Sequence, residues 1–324
     1  MKKHLNLIKS IAFLVGFVLI VLVLSFVFAP KDNRKEFGYN NTAVSAILAE
    51  KENSVDVVIL GDSESYCTFS PILLWKEYGY TSYVLGTAAQ PLFDSYEFLK
   101  IALKNQKPKM VVLETDAIYV SGGIKRDVIG AFNRSLTAFV PFFEHHDRWK
   151  NLSPKDLTKI PKYTYVNELK GFNYRTRIMP WKGDNYMKAT TKERAIPAMP
   201  RFYIEKIKAL CDEEGIKLVL VSVPTPHNWN YEKHNAITRF SREKGIDFLD
   251  LNFKIEELQI DWNVDSYDAG DHLNYNGAKK VNTYIGQFFK DNYDLVDHRN
   301  DEYYSDWYRC EQVYDEIIAS GKGK

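Results

Sequence analysis

The sequence predicts a three-layer α/β/α domain with about five parallel strands, an inserted helical cap and one membrane-spanning helix at its N-terminus. Three observations predict it. Short apolar β-type runs alternate with amphipathic helical segments, the pattern of a parallel sheet covered on both faces. A charge-free apolar run of bilayer length stands near the start of the sequence. Between about residues 118 and 199 the strand–helix rhythm stops, over a stretch too long for a structureless loop in a compact domain.

Residues 11–29, IAFLVGFVLIVLVLSFVFA, carry no charge. At about 1.5 Å per helical residue they reach roughly 28 Å, close to the thickness of a bilayer core. The best small-residue cleavage site is followed by Pro30, so an uncleaved anchor is expected over residues 1–30. Lys2, Lys3 and Lys9 before the run nearly balance Lys31, Arg34 and Lys35 after it. A large domain after one N-terminal span is usually the exported part, which places it outside the cell membrane on a single-pass anchor. Residues 31–53 read as a polar stalk.

The domain proper is expected over residues 54–299. VDVVIL (55–60), SYVLG (82–86), KMVVLE (109–114), IKLVLVSVP (216–224) and IDFLDL (246–251) read as its strands. Residues 91–106, 201–215 and 232–244 read as helices by their apolar spacing and by Pro or Gly at their ends. Residues 300–324 read as a C-terminal helix and tail, docked by aromatic side chains. The cap, about 118–199, is rich in basic and aromatic residues. Its Lys150, Lys155, Lys159, Lys162, Lys170, Arg175 and Arg177 read either as a cradle for an anionic polymer or as a solvated face.

Forty-three basic against forty-two acidic residues leave a net charge of +1, without the basic excess of a nucleic-acid binder. Cys67, Cys211 and Cys310 are odd in number and widely spaced, so neither a disulfide framework nor a metal motif is expected. Adjacent His145, His146 and Asp147 make a poor ion site, and no metal or other cofactor is implied.

Two segments carry chemistry. The first strand runs into Gly61-Asp62-Ser63-Glu64-Ser65, whose side chains project from the sheet's carboxyl edge, where such sheets bind ligands. The same turn could simply be a helix start capped by Asp62 or Ser63. His272, in Asp268-Ala269-Gly270-Asp271-His272-Leu273-Asn274, follows the fifth strand and precedes a helix, so it falls at the same edge. A carboxylate one or four residues before it can fix its tautomer, as a nucleophilic Ser requires of its base.

The strand-GDS turn and the D…HLN…GA segment resemble the first and last signature blocks of the SGNH (GDSL-type) hydrolases. The likeness covers roughly residues 55–291 apart from the cap, and implies a flavodoxin-like SGNH fold. It implies Ser63 as nucleophile, His272 as general base, and the N–H groups of Ser63 and Gly86 as oxyanion donors. The family's usual Asn donor after the third strand is missing from Leu113-Glu114-Thr115-Asp116, and Thr115 is the candidate substitute. The usual triad Asp position is Ala269, which leaves Asp268 as the candidate and Asp271 in reserve. Asp62, Gln90 and His227 are candidate substrate contacts at the same edge.

The wording of residues 271–280, DHLNYNGAKK, is similar to exported, anchored members such as the teichoic-acid D-alanylation accessory protein and polysaccharide O-acetylation partners. That likeness implies acyl transfer to a cell-surface polysaccharide or teichoic acid, with a multi-pass membrane acyltransferase as partner. Ester hydrolysis by a carbohydrate esterase with the same residues, and a non-catalytic scaffold of the same fold, are the rival readings.

Overall fold

The computed structural model describes residues 2–39, 41–321 and 323. Among them are five strands and eleven α-helices. They run in the order α1 (Lys2–Phe28), α2 (Thr42–Ser45), β1 (Val57–Gly61), α3 (Ser63–Thr68), α4 (Pro71–Tyr78), β2 (Ser82–Gly86), α5 (Leu92–Ala102) and β3 (Met110–Glu114). Then follow α6 (Ile124–Phe139), α7 (Pro141–His145), α8 (Ala198–Glu213), β4 (Lys217–Ser222), α9 (Tyr231–Lys244), β5 (Asp247–Asp250), α10 (Tyr275–Asn292) and α11 (Ser305–Ser320).

All strands are parallel, in the order β2-β1-β3-β4-β5. This is the doubly wound order in which the chain reverses direction next to β1 and opens a crevice at the carboxyl edge. The strands are buried on both faces because their apolar runs do not alternate with polar residues. Val58, Leu60, Val111 and Leu220 pack under α5, α8 and α9. Val57, Ile59, Val112 and Val219 face the opposite layer, where α10 contributes Val281, Ile285 and Phe289. Outside that layer α11 packs on α4, with the Trp75 and Trp307 rings 5.5 Å apart.

α1 begins at Lys2, nine residues before the charge-free run, and its length and apolar composition suffice to cross a membrane. Residues 31–53 differ from the polar stalk expected of them. Val44, Ala46 and Ile47 join the main core, and Glu50 is buried in a two-oxygen ion pair with Lys170, at 2.8 and 2.7 Å. Lys170 is fully buried, so it contributes nothing to a basic surface.

The region expected as a cap divides in two. Its helical half, with α6, α7 and 3-10 turns to Leu157, packs along α5, α8 and the end of α1. Residues 158–197 contain no helix or strand. They run as an irregular strap held by backbone hydrogen bonds: Val84 N–H to Lys170 at 2.9 Å, Asn173 N–H to Tyr66 at 2.8 Å, and Trp181 N–H to Trp262 at 3.1 Å. A strap that pairs with loops needs no periodic pattern, which is why the sequence shows none there.

Candidate active site

β1 ends at Gly61, and the Asp62 carboxylate accepts the Glu64 N–H at 3.0 Å, capping α3. Ser63 is therefore the first residue of α3, half-buried at the carboxyl edge. The Ser65 hydroxyl donates to the Asp62 carbonyl at 2.7 Å and tightens the turn. Gly86, at the matching end of β2, closes against it. A Cβ there would stand 2.4 Å from Ser65 Oγ and 3.1 Å from the Asp62 carbonyl oxygen, so the approach of the two turns requires glycine.

The His272 loop folds back on itself. Ala269 and Gly270 adopt positive φ, 62° and 94°, and an isolated bridge pairs Ser266 with Leu273. That reversal lets a carboxylate four residues upstream reach the histidine twice. Asp268 Oδ1 accepts the His272 backbone N–H at 2.6 Å, and Oδ2 lies 2.7 Å from Nδ1. Burial pushes the Asp268 carboxyl up, but these hydrogen bonds outweigh it and its pKa is lowered, so it stays ionised. A carboxylate partner places the proton on Nδ1 and leaves Nε2 as the basic nitrogen. Among the described residues, Nε2 is buried without a hydrogen-bond partner.

Asp271, the reserve candidate, lies 3.6 Å from Nδ1, and its Oδ1 instead accepts Asn228 Nδ2 at 2.6 Å. The same Asn228 amide donates to Glu64 at 2.8 Å, binding the Asp62-Ser63-Glu64 turn to the histidine loop. One ligating atom each of Glu64, Asp271 and His272 lies within 4.8 Å of the others. Asp62 also feels the charge of His272. Ser63 thus precedes a residue, Glu64, that lies close to the His272 loop.

Beneath the turn lies a group of buried carboxyls. Burial, then the neighbouring Asp116 charge, push Asp62 up to about 7. Burial followed by Glu114 and Asp62 holds Glu64 well above the usual carboxylate range, and burial with Asp62 and Asp116 does the same to Glu114. Lys233 neutralises Asp116 at 2.7 Å and also donates to the Asn228 carbonyl.

Three expected site residues are placed differently. Thr115 is fully buried: its N–H donates to Val221 O at 3.0 Å and its hydroxyl lies 2.5 Å from Ser222 Oγ, so neither faces an oxyanion. Gln90 is buried too, donating to Leu85 O at 3.1 Å and Ser95 Oγ at 2.9 Å, and fixes its own loop rather than a substrate. Asp62 points back into its cap. His227 is exposed at the rim, where its N–H donates to Gly270 O at 3.3 Å.

Sequence reading passed over Glu64, Asn228, Lys233 and the placement of Arg175. Asn228 follows the fourth strand in PTPHN, at the sheet edge already singled out, and that position was its signal. Arg175 stacks over the Tyr66 and Tyr267 rings, 5.7 and 4.5 Å to their centroids, while its carbonyl accepts the Tyr275 N–H at 2.7 Å. The strap also receives the Ala269 N–H on Met179 O at 3.0 Å and gives its own Met179 N–H to Ser266 O at 2.9 Å. It therefore holds the histidine loop from outside.

No family model matches the sequence, and no curated protein does. Solved structures that resemble it include lipases, acylhydrolases and an acetyl xylan esterase, among them a GDSL-like lipase and a lipolytic protein of the G-D-S-L family. The lipase/acylhydrolase from Enterococcus faecalis is 10% identical, with a TM-score of 0.39 over 75% of this chain and 99% of that one. A GDSL-like lipase from Bacteroides thetaiotaomicron is 14% identical, with a TM-score of 0.36 over 72% and 87%. An acetyl xylan esterase is 14% identical, with a TM-score of 0.37 over 72% and 98%. At overlaps this low the likeness carries no weight for function, which rests on the geometry of the site.

Proposed function

We propose that the domain is an SGNH-type acyl-handling enzyme, held at the outer face of the cell membrane by α1, that moves an acyl group through Ser63. The observation that supports it is the double hold of Asp268 on His272, which leaves Nε2 free to act as a base, in a loop whose Asp271 and His272 each bring a ligating atom within 4.8 Å of Glu64, the residue after Ser63. Ser63 Oγ attacks the acyl carbonyl carbon while His272 Nε2 takes the hydroxyl proton, and Asp268 stabilises the imidazolium. The N–H groups of Ser63 and Gly86 hold the oxyanion. Collapse expels the leaving group, which recovers the proton from His272 and leaves an acyl-Ser63 ester. An acceptor hydroxyl then attacks that ester with His272 again as base.

The acceptor is a cell-surface polysaccharide or teichoic acid, and a multi-pass membrane acyltransferase supplies the acyl group; both follow from the resemblance of the histidine segment. The test uses the full chain in detergent with p-nitrophenyl acetate, with and without an oligosaccharide acceptor, beside Ser63→Ala. Ser63-dependent turnover that rises with the sugar and yields acylated sugar supports transfer. Turnover into water unchanged by the sugar makes it an esterase. Equal rates for Ser63→Ala and the parent would remove Ser63 from the chemistry.

A further inference from the structure

α6 has two faces. Asp127 and Ala131 turn inward against α5 and α8. Ile124, Val128, Phe132 and Phe139, spaced by helical turns, line the outward face, where Ile124 is 68%, Phe132 66% and Phe139 86% exposed. Phe143, Trp149 and Ile160, in the segments that follow the helix, are exposed apolar side chains as well, Ile160 at 78%. A stripe this long on one face is not an ordinary solvated surface.

The stripe is continuous with the end of α1. The Phe28 and Phe142 rings meet edge to face at 5.0 Å. Arg148 donates to the Phe28 and Ala29 carbonyls at 2.6 and 2.7 Å, and Lys31 to Phe26 O at 2.6 Å, which satisfies the last turn of α1. α6, α7 and the 3-10 turns are therefore fixed at the level where α1 leaves the bilayer. Residues 124–162 hold eight Lys and Arg against four Asp and Glu. Two of those acids, Asp127 and Asp156, are buried. Lys125, Lys150, Lys155 and Lys159, in the same segments as the apolar side chains, are exposed.

We propose that the outward face of α6, with Phe143, Trp149 and Ile160, is a second membrane contact that lies in the lipid interface around the exit of α1. An amphipathic helix in the plane of the headgroups, an interfacial Trp and a basic fringe facing anionic lipid are the chemistry of such a surface. Two contacts fix the tilt of the domain, where one helix would leave it free to swing. The inference rests on α1 crossing the membrane and is independent of the reaction at Ser63.

The experiment places single nitroxide labels on the full chain in phosphatidylcholine–phosphatidylglycerol vesicles. The native cysteines are all buried. Phe132→Cys and Phe139→Cys are the test sites; Val15→Cys in α1 and exposed Lys290→Cys on α10 are the lipid and water references. Collision with dissolved oxygen should exceed collision with a nickel chelate severalfold at both test sites compared with Lys290→Cys. Test sites that match Lys290→Cys, while Val15→Cys reports lipid, would overturn the second contact and spare the anchor. Test sites reached by neither reagent would mean coverage by another protein copy, which also overturns it. Water-like collisions at Val15→Cys would overturn the span and the second contact together, leaving the chemistry at Ser63 untouched.

Discussion

Asp268 holds His272 by two atoms at once, the backbone N–H at 2.6 Å and Nδ1 at 2.7 Å, so a single carboxylate fixes both the loop and the tautomer of the imidazole. Asp271 is nearer in sequence but turns to Asn228. Asp268→Asn offers an amide whose N–H₂ cannot accept from Nδ1–H, and it should lower Ser63-dependent kcat by about 10⁴, the cost of losing the carboxylate of such a triad. Asp271→Asn removes at most a net hydrogen bond of about 0.5–1.5 kcal/mol, roughly tenfold or less in rate. The p-nitrophenyl acetate kinetics of the two variants decide which Asp serves, and equal losses would refute the assignment.

Gly86 is first of all a packing requirement. Gly86→Ala would drive a methyl into Ser65 Oγ, the hydroxyl that donates to the Asp62 carbonyl and tightens the turn. We expect a stability loss of about 1–3 kcal/mol from overpacking, with a fall in kcat larger than that loss explains. Gly86→Ala paired with Ser65→Ala gives the methyl room. If melting temperature recovers in the double variant while kcat does not, the backbone at Gly86 acts on the reaction itself. Recovery of both would show that position 86 needs glycine only for space, since alanine keeps the same backbone N–H.

The strands were legible because β-branched runs such as Val57–Leu60 and Lys217–Val221 admit little else, and strand–helix alternation fixes a parallel sheet. The positions of Ser63 and His272 were legible because Ser63 stands at the turn from β1 to α3 and His272 shortly before α10. Thr115 and Gln90 stand at the same edge, yet their partners Ser222 and Ser95 commit them to the scaffold. Position at an edge says nothing about which way a side chain is spent. The same reason hid the folding of residues 31–53: Glu50 looks like a solvated acid until Lys170, 120 residues away in sequence, is set against it.

That pair offers a direct check that residues 31–53 belong to the fold. Lys170→Met leaves the Glu50 carboxylate buried without its partner, and breaking such a pair costs about 3–5 kcal/mol. Adding Glu50→Gln removes the stranded charge and should restore much of the loss. Thermal melts of the parent, Lys170→Met and the double variant measure it. A melt unchanged in Lys170→Met would mean that residues 31–53 are not docked.

Asp62 gives the stability an unusual dependence on pH. In the folded chain burial and the Asp116 charge push it up to about 7, against about 3.9 in an unfolded chain. The folded state therefore holds a proton that the unfolded state has released. Stability linked to this group is full below about pH 4, declines as pH rises, and is lost above about 7. Glu64, Glu114, Asp116, His272 and Lys233 face the same pocket, and the raised Glu64 and Glu114 shift stability in the same direction. The melting temperature should fall between pH 5 and pH 8. Asp62→Asn keeps an oxygen to accept the Glu64 N–H while removing the titration. It should melt close to the parent at pH 5 and several degrees above it at pH 8, since about 1 kcal/mol moves Tm by roughly 2–4 °C at 150–250 residues and less in a longer chain. A variant that is less stable at pH 8 than at pH 5 by the same margin as the parent would place the titrating group elsewhere, with Glu64→Gln the next substitution to separate the two carboxyls.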